Sequence, residues 1–177
     1  CISNPEVQQL MVDELCRKFD EGADVCQLGQ QDGFRGCECE KCAADIVLPD
    51  GCVVRKGDEN FLSTRTFIYL NRAMEVIERE HPEMRVDTFA YQFTAPAPAV
   101  VVHPKFNVAF CPFIKNARFP VCSDVNAVWK RRSEAWSKAT PNIMWREYWG
   151  CASGYPRQHS LVAAKDLKWI NGSLGFT

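Results

Sequence analysis

Long apolar runs are missing from this sequence. No stretch approaches the ~20 residues that a membrane-spanning helix needs, so no membrane span is expected. An excess of charge is missing too. Lys and Arg total 21 and Asp and Glu total 22, for a net charge of -1, so nothing favours a polyanion. The densest basic cluster, Lys130-Arg131-Arg132, lies in a helical pattern and reads as a solvated helix face; nucleic acid is not an expected partner. Histidine is sparse: His81, His103 and His159 are scattered. An open catalytic metal site usually needs His or carboxylate ligands, and a nucleophilic cysteine needs a nearby base; both chemistries are disfavoured. There is no internal repeat, no low-complexity tract and no signal peptide. The chain starts at Cys1-Ile-Ser-Asn-Pro-Glu, which says nothing about the parent protein.

What is present is ordinary globular material with one outlier. The chain has 177 residues, 46% hydrophobic and 24% charged, enough for one domain with a real core. The outlier is cysteine, at 10 residues. That many point either to disulfides in an exported protein or to a bound metal.

Ser3-Asn-Pro-Glu6 is a strong helix start: Ser3 or Asn4 can cap, Pro5 suits the first helical position, and Glu6 favours the dipole. Val7, Leu10, Met11, Leu15 and Phe19 continue at helical spacing, and Gly22 closes the helix. Residues 23–29 read as a buried strand, and 30–60 as a long loop holding four cysteines. Phe67, Leu70, Met74 and Ile77 mark a second helix, stopped at His81-Pro82. A strand is expected over 85–93, then the rigid link Thr94-Ala-Pro-Ala-Pro. A strand over 107–111 ends at Pro112. Ser123-Asp124 opens a helix, 142–149 is a strand, 161–170 a helix, Gly172 punctuates, and 173–177 begins a last strand. Strands alternating with helices imply an α/β fold with parallel pairing. The expected architecture is a single partial domain over residues 1–177, a fragment of a longer protein. It holds about five of the eight strands of a (β/α)₈ TIM-type barrel. A small, open, doubly wound sheet is the competing architecture.

Several blocks, in order, carry a family resemblance. They are Cys1-Ile-Ser-Asn-Pro-Glu-Val, Asp32-Gly before Cys37-x-Cys39-x-x-Cys42, Asn71 in the helix ending at His81-Pro82, and Val86-Asp-Thr-Phe-Ala-Tyr-Gln92. Then come Asn107-Val-Ala-Phe-Cys111, Trp136, Asn142-Ile143 and Glu147-Tyr148. The series resembles a bacterial domain of unknown function from polysaccharide- and glycoprotein-degrading bacteria. That domain is linked to endo-β-N-acetylglucosaminidase-type glycoside hydrolases, with a barrel similar to those of β-hexosaminidases and α-glucuronidases. The resemblance implies the C-terminal part of the barrel, about strands 4 to 8. It implies a secreted, periplasmic or cell-surface bacterial protein, with an oligosaccharide or glycoprotein glycan as partner. Members tend to have Asn-Asp-Gly at Gln31-Asp32-Gly33, and often Trp-Asp-Tyr at Arg146-Glu147-Tyr148; the second change keeps a carboxylate and alters its reach.

Barrel sites lie at the carboxyl ends of strands. Those ends offer Gln30 and Asp32, Tyr91 and Gln92, Cys111, and Glu147, Tyr148 and Trp149. Glycoside hydrolysis needs one carboxyl to protonate the leaving oxygen and a second group as nucleophile, base or cation stabiliser. A 2-acetamido sugar can supply its own nucleophile if a carboxylate or phenol orients the amide, a role open to Asp32 or Tyr91. Glu147 is assigned as general acid/base and Asp32 as orienting or stabilising group. Gln30, Tyr91, Gln92, Tyr148 and Trp149 are assigned to substrate. Beside these stand plainer readings: an Asp-Gly turn for Asp32, and a rim salt bridge to Arg146 or Arg157 for Glu147. Trp145, Trp149 and Tyr155 could stack on sugars; Trp129 and Trp136, on a helix, belong to the core.

The cysteines leave two readings open. Cys37, Cys39 and Cys42 could hold a structural zinc, with Cys52, Cys26, Cys111 or Cys1 as fourth ligand. Alternatively Cys42 pairs with Cys52 and Cys111 with Cys122, which export favours. No cofactor is required for hydrolysis. The expected activity is cleavage of N-acetylglucosamine-containing glycans. Its rivals are a non-catalytic glycan-binding relative and a cysteine-rich zinc module.

Overall fold

A computed structural model describes residues 1–30, 32–33, 36–148 and 160–174. Helix α1 spans Pro5–Asp20. Its start is local chemistry: Asn4 Oδ1 accepts the Glu6 backbone N–H at 2.9 Å, and Pro5, which has no N–H to satisfy, takes the first turn. Gly22 reverses the chain at a φ of +95°, a left-handed value that glycine tolerates best. Strand β1 follows at Val25–Gln27.

Residues 30–60, expected as loop, contain three small elements. Helical turn α2 covers Glu40–Ala43, and strands β2 (Ile46–Val47) and β3 (Val53–Val54) pair as an antiparallel hairpin. Ile46, Leu48, Val54 and Phe61 bury a satellite core beneath it. Two-residue strands are too short for an alternating pattern to register in the sequence. Helix α3 spans Phe61–Glu80, beginning ahead of Phe67 because Phe61 belongs to that satellite core. It ends at His81, as Pro82 dictates.

Strand β4 (Arg85–Ala90) stops short of the expected Phe93, because the chain turns into a single 3-10 turn at Gln92–Thr94. Strand β5 is Phe106–Phe110, helix α4 is Ala127–Ala139 behind a 3-10 turn at Asp124–Asn126, and strand β6 is Ile143–Trp145. The β6 strand is shorter than expected because its partner runs out. After Arg146 N–H reaches Phe110 O at 2.9 Å, β5 meets Pro112, which has no N–H for a ladder. Helix α5 covers Ser160–Ser173. Gly172 and Ser173, expected as a break and a strand start, are its last residues, while 175–177 lie outside the described residues.

The main sheet is four-stranded, parallel throughout, in the order β1-β4-β5-β6. Each strand lies beside its predecessor in this sheet, and the order never reverses. The chain is thus α/β, as expected. One sheet face is covered by helices. Phe67 of α3 packs edge-on against Phe106 of β5 and Trp136 of α4, with ring centroids 6.3 and 5.3 Å apart. Trp136 is fully buried and donates its indole N–H to Ala95 O at 3.0 Å, which satisfies the one polar atom that burial would penalise. Trp129 is also core, against Phe110. The opposite pleat positions include Val25, Asp87, Asn107 and Met144. Val25 and Met144 are exposed there, and Asn107 donates to its register partner Asp87 at 2.8 Å.

Candidate functional site

Polar and aromatic groups gather beyond the carboxyl ends of the four parallel strands. After β1, Asp32 is exposed, and Gln92, after β4, donates to its Oδ1 at 3.5 Å. Gln92 holds a φ of +49°, a left-handed conformation that costs a side-chain-bearing residue about 1–3 kcal/mol and tends to persist at functional sites. Gln30 lies at the same end of the sheet. Its amide donates to Tyr91 O at 2.6 Å and to Thr94 Oγ1 at 3.1 Å, tying the β1 end to the β4 end.

An aromatic row crosses the same rim. Tyr91 and Phe113 meet edge-to-face at 5.7 Å, and Phe113 and Tyr148 at 5.1 Å. Phe113, absent from the assigned set, is half exposed at 51%. It follows Pro112, just past the end of β5. Burial, followed by the Cys111 thiol beside it, pushes the Tyr148 phenol up to about 12; at neutral pH it can donate a hydrogen bond. Trp149, Tyr155 and Arg157 lie outside the described residues. Trp145 packs on Phe110 at 5.3 Å and donates its indole N–H to Glu147 at 3.2 Å.

Glu147 is not on an open rim with Arg146, whose guanidinium instead lies over the Phe89 ring at 5.2 Å. Lys115 Nζ sits 3.0 Å from Glu147 and 3.3 Å from Asp166 of α5, with side-chain exposures of 1%, 6% and 0% for Lys115, Glu147 and Asp166. Asp166 also accepts the Val121 backbone N–H at 2.6 Å. The Lys115 ammonium and Asp166 Oδ2 are close but not aligned as a hydrogen bond, and neither atom has a hydrogen-bond partner among the described residues. Burial raises the Asp166 carboxyl above its ordinary range, against the opposing pull of the Val121 N–H and Lys115. Lys115 and Asp166 escaped the sequence reading, although Lys115 also follows a strand end. Asp32 and Glu147 follow strands at opposite edges of the sheet, three strand spacings or about 14 Å along it. Each has its own neighbours: Gln92 for Asp32, Lys115 for Glu147.

An apolar cavity of about 320 Å³ lies between α1, α3 and the ends of β1 and β4, lined by Met11, Leu28, Phe67, Leu70 and Phe89, and reaching Gln30 and Thr94 of the rim. The rim carboxylates Asp32 and Glu147 do not line it.

The second polar centre is a cysteine cluster. Cys1 Sγ lies 3.3 Å from Cys37, 3.6 Å from Cys39 and 3.6 Å from Cys42, and all four sulfurs fall within 4.8 Å of one another. These four residues could hold a metal ion. The backbone N–H of Cys42, followed by the Cys37 thiol and the Ser3 hydroxyl, holds the Cys39 thiol down at about 7. The nine described cysteines are all free. The expected Cys42–Cys52 and Cys111–Cys122 bridges do not form: Cys42 is drawn into the cluster, and Cys111 is buried beside Tyr148. Of the four proposed fourth ligands, Cys1 is the one that joins.

The left-handed Gln92 gives a discriminating prediction. Gln92→Gly should change stability by no more than about 1 kcal/mol, since relief of strain and glycine's entropy cost oppose each other. Gln92→Val, β-branched in that conformation, should lose about 1–3 kcal/mol. Urea midpoints of the two variants check this.

A parallel α/β domain with a polar strand-end rim and a four-cysteine cluster defines the class. The chain matches the family Domain of unknown function (DUF4838) over residues 1–171, and it belongs to that family. No curated protein and no solved structure matches it.

Proposed function

We propose that this domain is part of a glycoside hydrolase that cleaves N-acetylglucosamine-containing glycans by general acid/base catalysis. The observation that carries the reading is an aromatic row, Tyr91-Phe113-Tyr148, at the carboxyl ends of parallel strands, with Glu147 following the strand at one edge of the sheet and Asp32 the strand at the other. Aromatic faces suit sugar rings, and carboxyl groups suit protonation of a glycosidic oxygen. The sheet supports a barrel fragment: its strand order is sequential, and its second face leaves Val25 and Met144 exposed, whereas parallel sheets are normally covered on both faces. In this reading Glu147 is the acid/base, positioned by Lys115 and by the Trp145 indole. Asp32, steered by Gln92, orients the substrate's acetamido group in a substrate-assisted step, and protonated Tyr148 donates to a sugar oxygen. Secretion or cell-surface display in a bacterium goes with this substrate.

A glycan-binding relative without turnover is the second reading, favoured by the commitment of Glu147 to a buried ion pair. Asp32→Asn separates the two. With the full-length protein, a hydrolase predicts that turnover of N-acetylglucosaminides falls by about 10²–10⁴ while glycan affinity changes little. Retained affinity with no turnover in the unsubstituted protein would establish the binding relative instead.

A further inference from the structure

We propose that Cys1, Cys37, Cys39 and Cys42 form a four-thiolate zinc site that clamps the start of α1 to the loop between β1 and the hairpin. The clamp does not depend on the hydrolase reading.

The sulfur spacing suits a tetrahedral metal–thiolate site. Zinc–thiolate bonds of about 2.3 Å imply sulfur separations of about 3.8 Å. Cys1 stands 3.3, 3.6 and 3.6 Å from the other three sulfurs. Disulfide bonding would need about 2.0 Å, and it would join sulfurs in pairs rather than bring four together. The local backbone also fits. Cys39 is the N-cap residue of α2 and Cys42 lies within that turn, so the Cys-x-x-Cys segment presents both sulfurs to one point.

The surroundings suit a metal–thiolate group. Ser3 Oγ, nearly buried, lies 3.1 Å from Cys1 Sγ and 3.2 Å from Cys42 Sγ, where its hydroxyl can support thiolate ligands. A zinc ion with four thiolates carries two net negative charges. The mostly buried Arg65 shares the pocket lined by Cys37 and Cys42. Its guanidinium donates to Lys41 O at 2.6 Å and to Ala44 O, on either side of Cys42. Its Nε has no hydrogen-bond partner among the described residues. A buried cation beside the cluster offsets the charge that zinc would leave there, and a tetrahedral all-sulfur set selects zinc or iron.

The consequence is mechanical. Cys1 precedes α1, and the other three ligands sit in a segment whose remaining order comes from a four-residue turn and a two-residue hairpin. One ion would join these parts across 36 to 41 residues of chain. It would also fix the far end of the loop that carries Asp32.

The full-length protein, purified without chelator, should contain one zinc per chain by mass-spectrometric metal analysis. Cobalt substitution should give the intense visible bands of tetrahedral cobalt–thiolate. Cys1→Ser and Cys39→Ser should weaken zinc by at least about tenfold, the scale reached when even an outer-shell partner is lost. Cys52→Ser, outside the cluster, should keep it. Because ligand variants can fail to fold, hydrogen exchange on the unsubstituted protein supplies a second readout. Stripping zinc should speed exchange in residues 1–4 and 36–44 and leave β5 protected. Stoichiometric iron, absence of metal with Cys1 in a disulfide, or full zinc affinity in Cys1→Ser would each overturn the assignment.

Discussion

Lys115→Met is expected to destabilise the domain by about 3–5 kcal/mol. That corresponds to a fall in melting temperature of roughly 6–20 °C for a chain of this size. The methionine nearly matches the lysine in volume, so the loss is electrostatic. Glu147 and Asp166 both point at the lysine ammonium from positions almost closed to water. Without the cation, two buried carboxylates face each other with nothing between them. The pH dependence has a definite sign. Burial already raises the Asp166 carboxyl in the folded protein. A group that binds its proton more tightly when folded favours folding at low pH, and that contribution is lost as pH rises through the folded value. Removing Lys115 withdraws an interaction that lowers this value, so it should climb further. The deficit of Lys115→Met should therefore be largest near neutrality and shrink as pH falls toward about 4. A second substitution, Asp166→Asn, keeps an acceptor for the Val121 N–H and removes one charge; placed on Lys115→Met, it should recover part of the loss. Equal deficits at pH 4 and pH 7 would mean that packing, not charge, fixes this site.

Glu147→Gln is expected to lower turnover on N-acetylglucosaminides by about 10²–10⁴, the usual contribution of a positioned proton donor. Glutamine keeps the shape and can still accept from the Trp145 indole, which now reaches Glu147 at 3.2 Å. It cannot deliver a proton to a leaving oxygen. Two measurements tell catalysis from architecture. If Glu147 acts in the transition state, kcat falls and KM hardly moves. If its work is only to hold Lys115, stability falls and turnover follows the folded fraction.

The fold was legible where the determinants are local. The helix start at Ser3-Asn-Pro-Glu6, the stop at His81-Pro82 and the end of β5 before Pro112 each depend on residues within one turn or one ladder step. The hairpin at 46–54 was not, because strands of two residues leave no periodicity and their stability comes from burying Ile46, Leu48 and Val54 against Phe61. At the rim, the strand-end rule found Asp32, Tyr91, Gln92, Glu147 and Tyr148, but not what each one touches. Lys115 and Asp166 meet only after β5 and α5 are brought together, and a lone lysine or an aspartate in a helix carries no local mark of such a partner. The cysteines fall between these cases. Spacing marked Cys37, Cys39 and Cys42 as a unit, but only the docking of α1 chose Cys1 over Cys26, Cys52 and Cys111.

The most direct measurement is mass spectrometry of sugars released by the full-length protein from a panel of N-glycoproteins and N-acetylglucosaminides, with Glu147→Gln run in parallel. The account predicts release of N-acetylglucosamine-terminated products by the unsubstituted protein and a loss of about 10²–10⁴ in the variant. Folded, glycan-binding protein that releases nothing from any substrate would contradict it.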